Sequence, residues 1–300
     1  MIDELFTPDL LPTLRRLGER PLGADDVDPA ETAARENVRQ VMNDLGVPAL
    51  TGTGLLAVAE TLGRALYRCP VLETATAAEL VAAGGDPLGL LPGLRDGSVT
   101  AVLVTDPQLV PYAADADWFM IGDDLIARDR ARLRRRDDIS RGDLYAVTPA
   151  SPPAATLTLT GADRTAALTG SRGRQAAYLC GMSRGALELT VGYTRSRTQF
   201  GQPVSRFQAP AFRLAALYAR IEATAALIAR ARDLADATRA LLLAAELARD
   251  TSAEAIQLHG AHGMTERADA QLFYRHAAME AIRLGTQTGL RAELAAMILG

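Results

Sequence analysis

The chain contains no lysine: all 32 basic residues are arginine, set against 36 acidic ones for a net charge of −4. That balance argues against a general nucleic-acid surface, which needs a surplus of positive charge. The exclusive use of arginine reads as the codon bias of a GC-rich genome. Cysteine is scarce too. Cys69 and Cys180 are the only two, with nothing around them to suggest a disulfide framework or a Cys-x-x-Cys site, so a reducing cytosol is the default. No apolar run approaches the ~18 residues of a membrane span, because Glu246 and scattered arginines interrupt the richest stretches. Met1–Phe6 carries acid where a secretory signal needs base, and it lacks an apolar core. These absences predict a cytoplasmic protein with neither a membrane nor a nucleic-acid partner.

What is present is ordinary globular material: 300 residues, 48% hydrophobic and 23% charged, with a mean hydropathy of +0.04. A chain of this size can bury roughly 75% of its unfolded surface, so it needs no metal or disulfide staple. Residues 1–97 read as helical, with Leu55, Leu56, Val58, Ala59, Leu62, Gly63 and Leu66 at helical spacing. Between 98 and 163 the period changes. Val99–Thr105 and Thr156–Thr160 are β-branched runs, Asp143–Val147 is a further strand, and Asp117–Ala127 reads as a hairpin turning at Gly122 and Asp123. Residues 164–300 return to long helical periods over 174–196, 209–236, 238–258, 267–283 and 288–299. The expected fold is mainly α with a small β domain between two helical regions.

Three motifs carry chemistry. The first is Arg197-Thr-Gln-Phe-Gly-Gln-Pro-Val-Ser-Arg-Phe-Gln208, where a guanidinium suits bidentate contact with phosphate oxygens and a neighbouring aromatic can stack an adenine. The second, Gln257-Leu-His-Gly-Ala-His-Gly263, offers glycines that let backbone amides approach an anion. The third runs from Tyr274 to Thr286, then Arg291 and the closing Met-Ile-Leu-Gly300. Together with Glu60-Thr-Leu-Gly-Arg64, these resemble acyl-CoA dehydrogenases, with their R-x-x-F-G…F-Q, Q-x-x-G-G-x-G and Y-E-G-T…R…L-G elements. The resemblance covers essentially the whole chain and is strongest over its last 130 residues or so. It implies a shortened acyl-CoA dehydrogenase-like fold: an N-terminal helical domain, a middle β domain and a C-terminal four-helix bundle. It implies FAD as cofactor, an acyl-CoA substrate and an electron-acceptor flavoprotein. By position it assigns cofactor contacts to Arg197, Gln199, Phe207, Gln208, Gln257, Gly260, Ala261 and Thr286.

The departures are as informative as the matches. The family's usual catalytic glutamate falls at Leu284, and the position some relatives use instead falls at Gln175. Neither can take a proton. Glu280 is the one relocated-base candidate nearby, against a plain solvated or salt-bridged helix residue. In the β domain, Thr105-Asp106-Pro107 keeps the start of T-E-P-x-x-G-S-D, but Gln108–Pro111 lacks its Gly-Ser part. Ala261 replaces the middle glycine of the second motif. Trp118 reads as a β-domain core residue or a remnant of flavin packing. His259, His262 and His276 lack the spacing and companions of a metal site, so no metal is expected. The arginine-rich run Arg128–Arg136 reads as a solvated loop or subunit contact, or as a grip on a CoA phosphate or acidic partner.

Certain actinobacterial relatives combine two short, different subunits in an α2β2 assembly, with FAD at the interface and the base on only one subunit. They act on CoA thioesters of steroid side chains. This chain resembles the base-less type, implying a sister subunit. The other readings are a homomeric acyl-thioester dehydrogenase of specialised metabolism with a relocated base, and a non-catalytic structural or acyl-binding subunit.

Overall fold

A computed structural model describes residues 29–136, 144–265 and 267–299. Residues 1–28 of the expected N-terminal helical region, and Asp143 of an expected strand, lie outside the described residues. In chain order the helices are α1 (Pro29–Asp44), α2 (Gly52–Arg64), α3 (Val71–Ala83) and α4 (Leu91–Asp96). Strands β1 (Ala101–Leu103), β2 (Val110–Pro111), β3 (Trp118–Ile121), β4 (Asp124–Ala127), β5 (Ala131–Arg136), β6 (Leu144–Pro149) and β7 (Ala155–Thr156) follow. Then come α5 (Gly161–Ser196), the short pair β8 (Thr198–Gln199) and β9 (Gln202–Pro203), and α6 (Gln208–Arg230). The last helices are α7 (Leu234–His259), α8 (Asp269–Glu280) and α9 (Gln287–Leu299). The described residues form two compact units, one of 29–55 and 68–171, the other of 56–67 and 172–299.

In the first unit, one sheet has the order β1-β3-β4-β7 and the other β2-β6-β5. The hairpin forms as expected: Ile121 pairs with Asp124, and Gly122 takes φ 61° in the two-residue turn. Strand β3 shows how alternation divides a core. Trp118 and Met120 face a cluster with Leu80, Val81, Leu94 and Leu125, while Phe119 faces Val102, Val110 and Val147 on the other side. Trp118 is thus half-buried β-domain core. The strands are shorter than the β-branched runs suggest. The run ending at Thr160 stops early because Thr160 caps α5: its Oγ1 accepts from Asp163 N (3.2 Å), and its own N–H donates to Asp163 Oδ2 (2.8 Å). This reciprocal box starts the helix at Gly161 rather than near 174.

In the second unit, α5 is the central helix. From Arg172 to Leu187 every residue except Arg184 is buried, the pattern of a helix packed on all sides. Its closest neighbour is α2. A methyl group added at Gly63 would strike the Tyr178 carbonyl oxygen; one at Gly181 would strike that of Glu60, and one at Gly185 that of Arg64. The small residues let two backbones come together. Arg184 sits between Glu60 (2.9 Å) and Glu222 (2.6 Å), tying α5 to α2 and α6. Burial opposes its charge, but the two carboxylates outweigh it and raise its pKa. Arg172, also buried, donates to Thr238 Oγ1 (2.6 Å) and forks onto Glu293 (3.0 and 2.6 Å), joining α7 and α9. The break between α6 and α7 falls at 231–233, because Asp233 Oδ1 accepts from Asp236 N (2.8 Å) as an N-cap. Cys180 faces this interior, and burial pushes its thiol up to about 12, which leaves it inert.

The glycine contact gives a test of opposite signs. Gly181→Ala is expected to destabilise the chain by about 1–3 kcal/mol or more through overpacking. Gly192→Ala, also in α5 but with open space at its Cβ, is expected to stabilise by about 0.5–1 kcal/mol through helix propensity. Urea-denaturation midpoints measure both. Equal shifts in one direction would rule out close approach as the reason for glycine at 181.

Candidate functional site

The C-terminal end of α5 packs against the second motif and leads straight into the first. Arg197 follows the helix directly, its N–H donating to the Tyr193 carbonyl oxygen at 2.9 Å. The Tyr193 ring stacks on His259 at 4.1 Å and 22°, and its hydroxyl donates to the His259 carbonyl oxygen at 3.3 Å. His262 continues the stack at 6.4 Å and 19°. The end of α7 is therefore fixed to α5 through a tyrosine that the motif pattern did not single out. The sequence carries a signal for it: an aromatic four residues before the arginine that opens the first motif. A cleft of about 490 Å³ opens here between Glu188–Tyr193 of α5 and His259, His262 and Arg267–Asp269.

His259 is buried at 7% exposure, and its Nδ1 faces the Ala255 carbonyl at 2.7 Å, a position that requires Nδ1–H to donate. Burial lowers its pKa below the usual histidine value. It is a neutral packing group. His276 is buried in α8, and among the described residues no set of three or more His, Cys, Asp or Glu is grouped to hold a metal.

The two retained glycines of the second motif serve different needs. Gly260 adopts φ 65°, ψ −146°, a conformation reserved for glycine, and a Cβ there would meet nothing within 4 Å. Its backbone is open to an incoming group. Gly263 is buried, and a Cβ would stand 2.8 Å from both His259 Cβ and the Ile256 carbonyl oxygen, so it is needed for packing. Ala261 and Gln257 are exposed beside Gly260.

After α5, Thr198–Pro203 folds into a hairpin whose turn residues Phe200 and Gly201 both have positive φ, 50° and 79°. This geometry normally excludes a bulky side chain, yet Phe200 occupies it and is 94% exposed. Phe207 meets it edge-on at 6.2 Å. Arg197 is exposed, and no carboxylate pairs with it among the described residues. Its carbonyl accepts from Val204 N (2.8 Å), which sets the hairpin against the helix end. Gln199 and Gln208 are exposed as well.

The expected base positions form a second cluster. Gln175 Nε2 donates to the carbonyl oxygen of Glu280 (2.9 Å) and to its Oε2 (3.0 Å), and Arg283 Nη1 also donates to Oε2 (3.0 Å). Glu280 is buried at 4% exposure. Helix α8 ends at Glu280 rather than continuing to 283, so Leu284 lies in the following turn and not one helical turn along the same face. Thr286 caps the next helix, its Oγ1 accepting from Gly289 N (3.1 Å). Gln175 and Tyr193 are 18 residues apart on one helix, so the two clusters lie ~27 Å apart along it. In the first unit, Thr105–Pro107 forms an exposed turn closed by Asp106, whose Oδ1 accepts from Gln108 N (2.8 Å).

The model of the acyl-CoA dehydrogenase C-terminal domain matches residues 162–299. The acyl-CoA dehydrogenase IpdE2 of Mycobacterium tuberculosis is 34% identical over 232 residues, 73% of this chain and 70% of that one. Among solved structures, the Tcur3481-Tcur3483 steroid ACAD variant superposes with a TM-score of 0.82 at 21% identity, covering 99% of this chain and 98% of that one. The ChsE4-ChsE5 complex from Mycobacterium tuberculosis gives 0.80 at 18% identity, with 99% and 94% covered. The chain belongs to the acyl-CoA dehydrogenase family.

Proposed function

We propose that this chain is the base-less subunit of an acyl-CoA dehydrogenase made of two different chains, desaturating a bulky acyl-CoA thioester at its α,β bond. One observation carries the reading: Leu284 and Gln175 hold the two base positions, and among the described residues the carboxylate that meets Gln175, that of Glu280, is already engaged. Glu280 Oε2 takes hydrogen bonds from both Gln175 and Arg283 inside the fold. A base must reach the proton it removes, and this oxygen faces its own chain. The sister subunit then contributes the base. The bulky-substrate part of the proposal draws on likeness to a fold neighbour described as a steroid ACAD.

FAD is the cofactor of the family, and the α5–α7 corner suits its diphosphate half. Arg197 offers an exposed guanidinium with no carboxylate partner among the described residues; Gly260 offers backbone without a side chain in the way; Phe200 and Phe207 offer ring faces. Gln257 and Ala261 border the same loop, and Gln199 and Gln208 the adjoining hairpin and helix start. When bound, the flavin supplies the hydride acceptor for the β-hydrogen, while an electron-acceptor protein completes the cycle. This chain's own part is to hold, orient and enclose.

Two outcomes test the reading. Purified alone, the chain is expected to carry little flavin; co-purified with its sister subunit, it is expected to show a flavin spectrum near stoichiometry. In that assembly, Arg197→Ala is expected to weaken flavin retention by about 1.5–3 kcal/mol, roughly 10- to 150-fold. Stoichiometric flavin in the chain alone, or retention unaffected by the substitution, would sink this placement. Glu280→Gln is expected to lower thermal stability, because it removes the charge of a buried carboxylate that accepts from both Gln175 and Arg283, a change of up to about 3–5 kcal/mol in comparable pairs. Turnover per folded assembly is expected to stay near that of the parent. A collapse of turnover with the fold intact would identify Glu280 as the base.

A further inference from the structure

The arginine run of the first unit is not absorbed by this function. Arg128 and Arg130 lie on a short 3-10 turn, and Arg132, Arg134 and Arg135 follow on β5. All five are exposed, and none has a carboxylate partner among the described residues. Arg136, the last of the run, is occupied by Gln108. Strand β5 is the edge of its sheet, paired with β6 on one side. Asp129, inside the run, pairs with none of the five.

Edge strands often carry a charge or two to discourage pairing with another chain. Arg132 and Arg134 share one face of β5 and Arg135 alternates to the other; with Arg128 and Arg130 just before the strand, four like charges still go beyond that need. Elsewhere Arg39, Arg64, Arg164, Arg172, Arg184, Arg213, Arg220 and Arg239 each find an acid, while Arg197, Arg206 and Arg249 do not among the described residues. What sets the run apart is density: Arg128, Arg130, Arg132, Arg134 and Arg135 fall within eight residues.

We propose that this ridge docks a partner protein through an acidic helix. Arg132 and Arg134 are two residues apart on a strand, hence ~6.6 Å apart along it. Carboxylates four residues apart on a helix rise ~6 Å. The two ladders match, and guanidinium groups grip carboxylates bidentately. The 3-10 turn bearing Arg128 and Arg130 leads directly into β5, so the cationic run is longer than the strand's own pair.

The test uses the full chain and a synthetic alanine-glutamine helix bearing a glutamate every fourth residue, with a scrambled peptide of equal composition. Fluorescence anisotropy is expected to show binding that weakens steeply with salt and is several-fold weaker for the scrambled peptide. The triple variant Arg130→Gln, Arg132→Gln, Arg134→Gln is expected to bind roughly tenfold or more weakly, with an unchanged melting temperature. The triple Arg→Lys variant, which keeps charge but loses the fork, is expected to fall between. Equal binding of patterned and scrambled peptides would overturn the proposal, as would a triple Gln variant that binds like the parent. So would displacement of the peptide by adenosine 3′,5′-bisphosphate, which would make the ridge a nucleotide seat. Preferential binding to phosphatidylserine vesicles would overturn it in favour of a lipid surface.

Discussion

The helical unit depends on a carbonyl-to-glycine approach between α2 and α5. Tyr178 and Glu60 present main-chain oxygens where a methyl at Gly63 or Gly181 would sit, so the two helices meet at backbone distance. At that separation little hydrophobic side-chain volume lies between them, and the contact is governed by shape. Once α5 is seated this way, its remaining faces are committed. Arg184 lies between Glu60 and Glu222, Arg172 points to Thr238 and Glu293, and the burial of 172–187 follows. A guanidinium can satisfy two elements at once because its donors lie in a rigid fork. An ammonium group would serve these bridging positions less well, whatever codon bias favoured arginine.

The same helix sets out the chemistry. One stretch of α5 carries Gln175 against Glu280; a stretch ~27 Å further on carries Tyr193 and Arg197. The first cluster is engaged within the chain: the Glu280 carboxylate accepts from the Gln175 amide and the Arg283 guanidinium. The second is open: a bare cation, a glycine with free space at its Cβ, and a phenylalanine held in left-handed backbone with its ring in solvent. Holding Phe200 there costs on the order of 1–3 kcal/mol, and its ring recovers little of that by packing within the chain. On the proposed reading, the open cluster is the one left for the cofactor.

Much of this was legible in the sequence. Period-two alternation and a Gly-Asp turn located the β3–β4 hairpin, and helical spacing located the bundle. The 257–263 motif lies against the end of α5 through Tyr193, four residues before Arg197. Other features were hidden for identifiable reasons. The start of α5 lay behind Thr156–Thr160, whose β-branched run reads as strand until Thr160 and Asp163 are recognised as a capping box. Spacing alone could not separate the two glycines of the loop, since one is required by φ and ψ and the other by its neighbours. Nor could it show that α8 stops at Glu280, because the residues beyond it keep helical periodicity while the chain turns.

The end of α8 decides how the missing base is understood. A continuous helix would have placed Glu280 one turn from Leu284, able to substitute for it along a shared face. Ending the helix at Glu280 removes that geometry and gives the carboxylate to Arg283, three residues on in the turn, and to Gln175 across the bundle. Gln175 matters as much as Leu284. A carboxylate at 175 would stand ~3 Å from that of Glu280, and two like charges so close in a buried site cannot both ionise without a large penalty. Glutamine at 175 and glutamate at 280 therefore belong together: the amide that replaces one possible base is the donor that holds the remaining carboxylate in a structural role. On the proposed reading, the loss of both bases is a single packed solution rather than two independent losses, and restoring one carboxylate would require removing another.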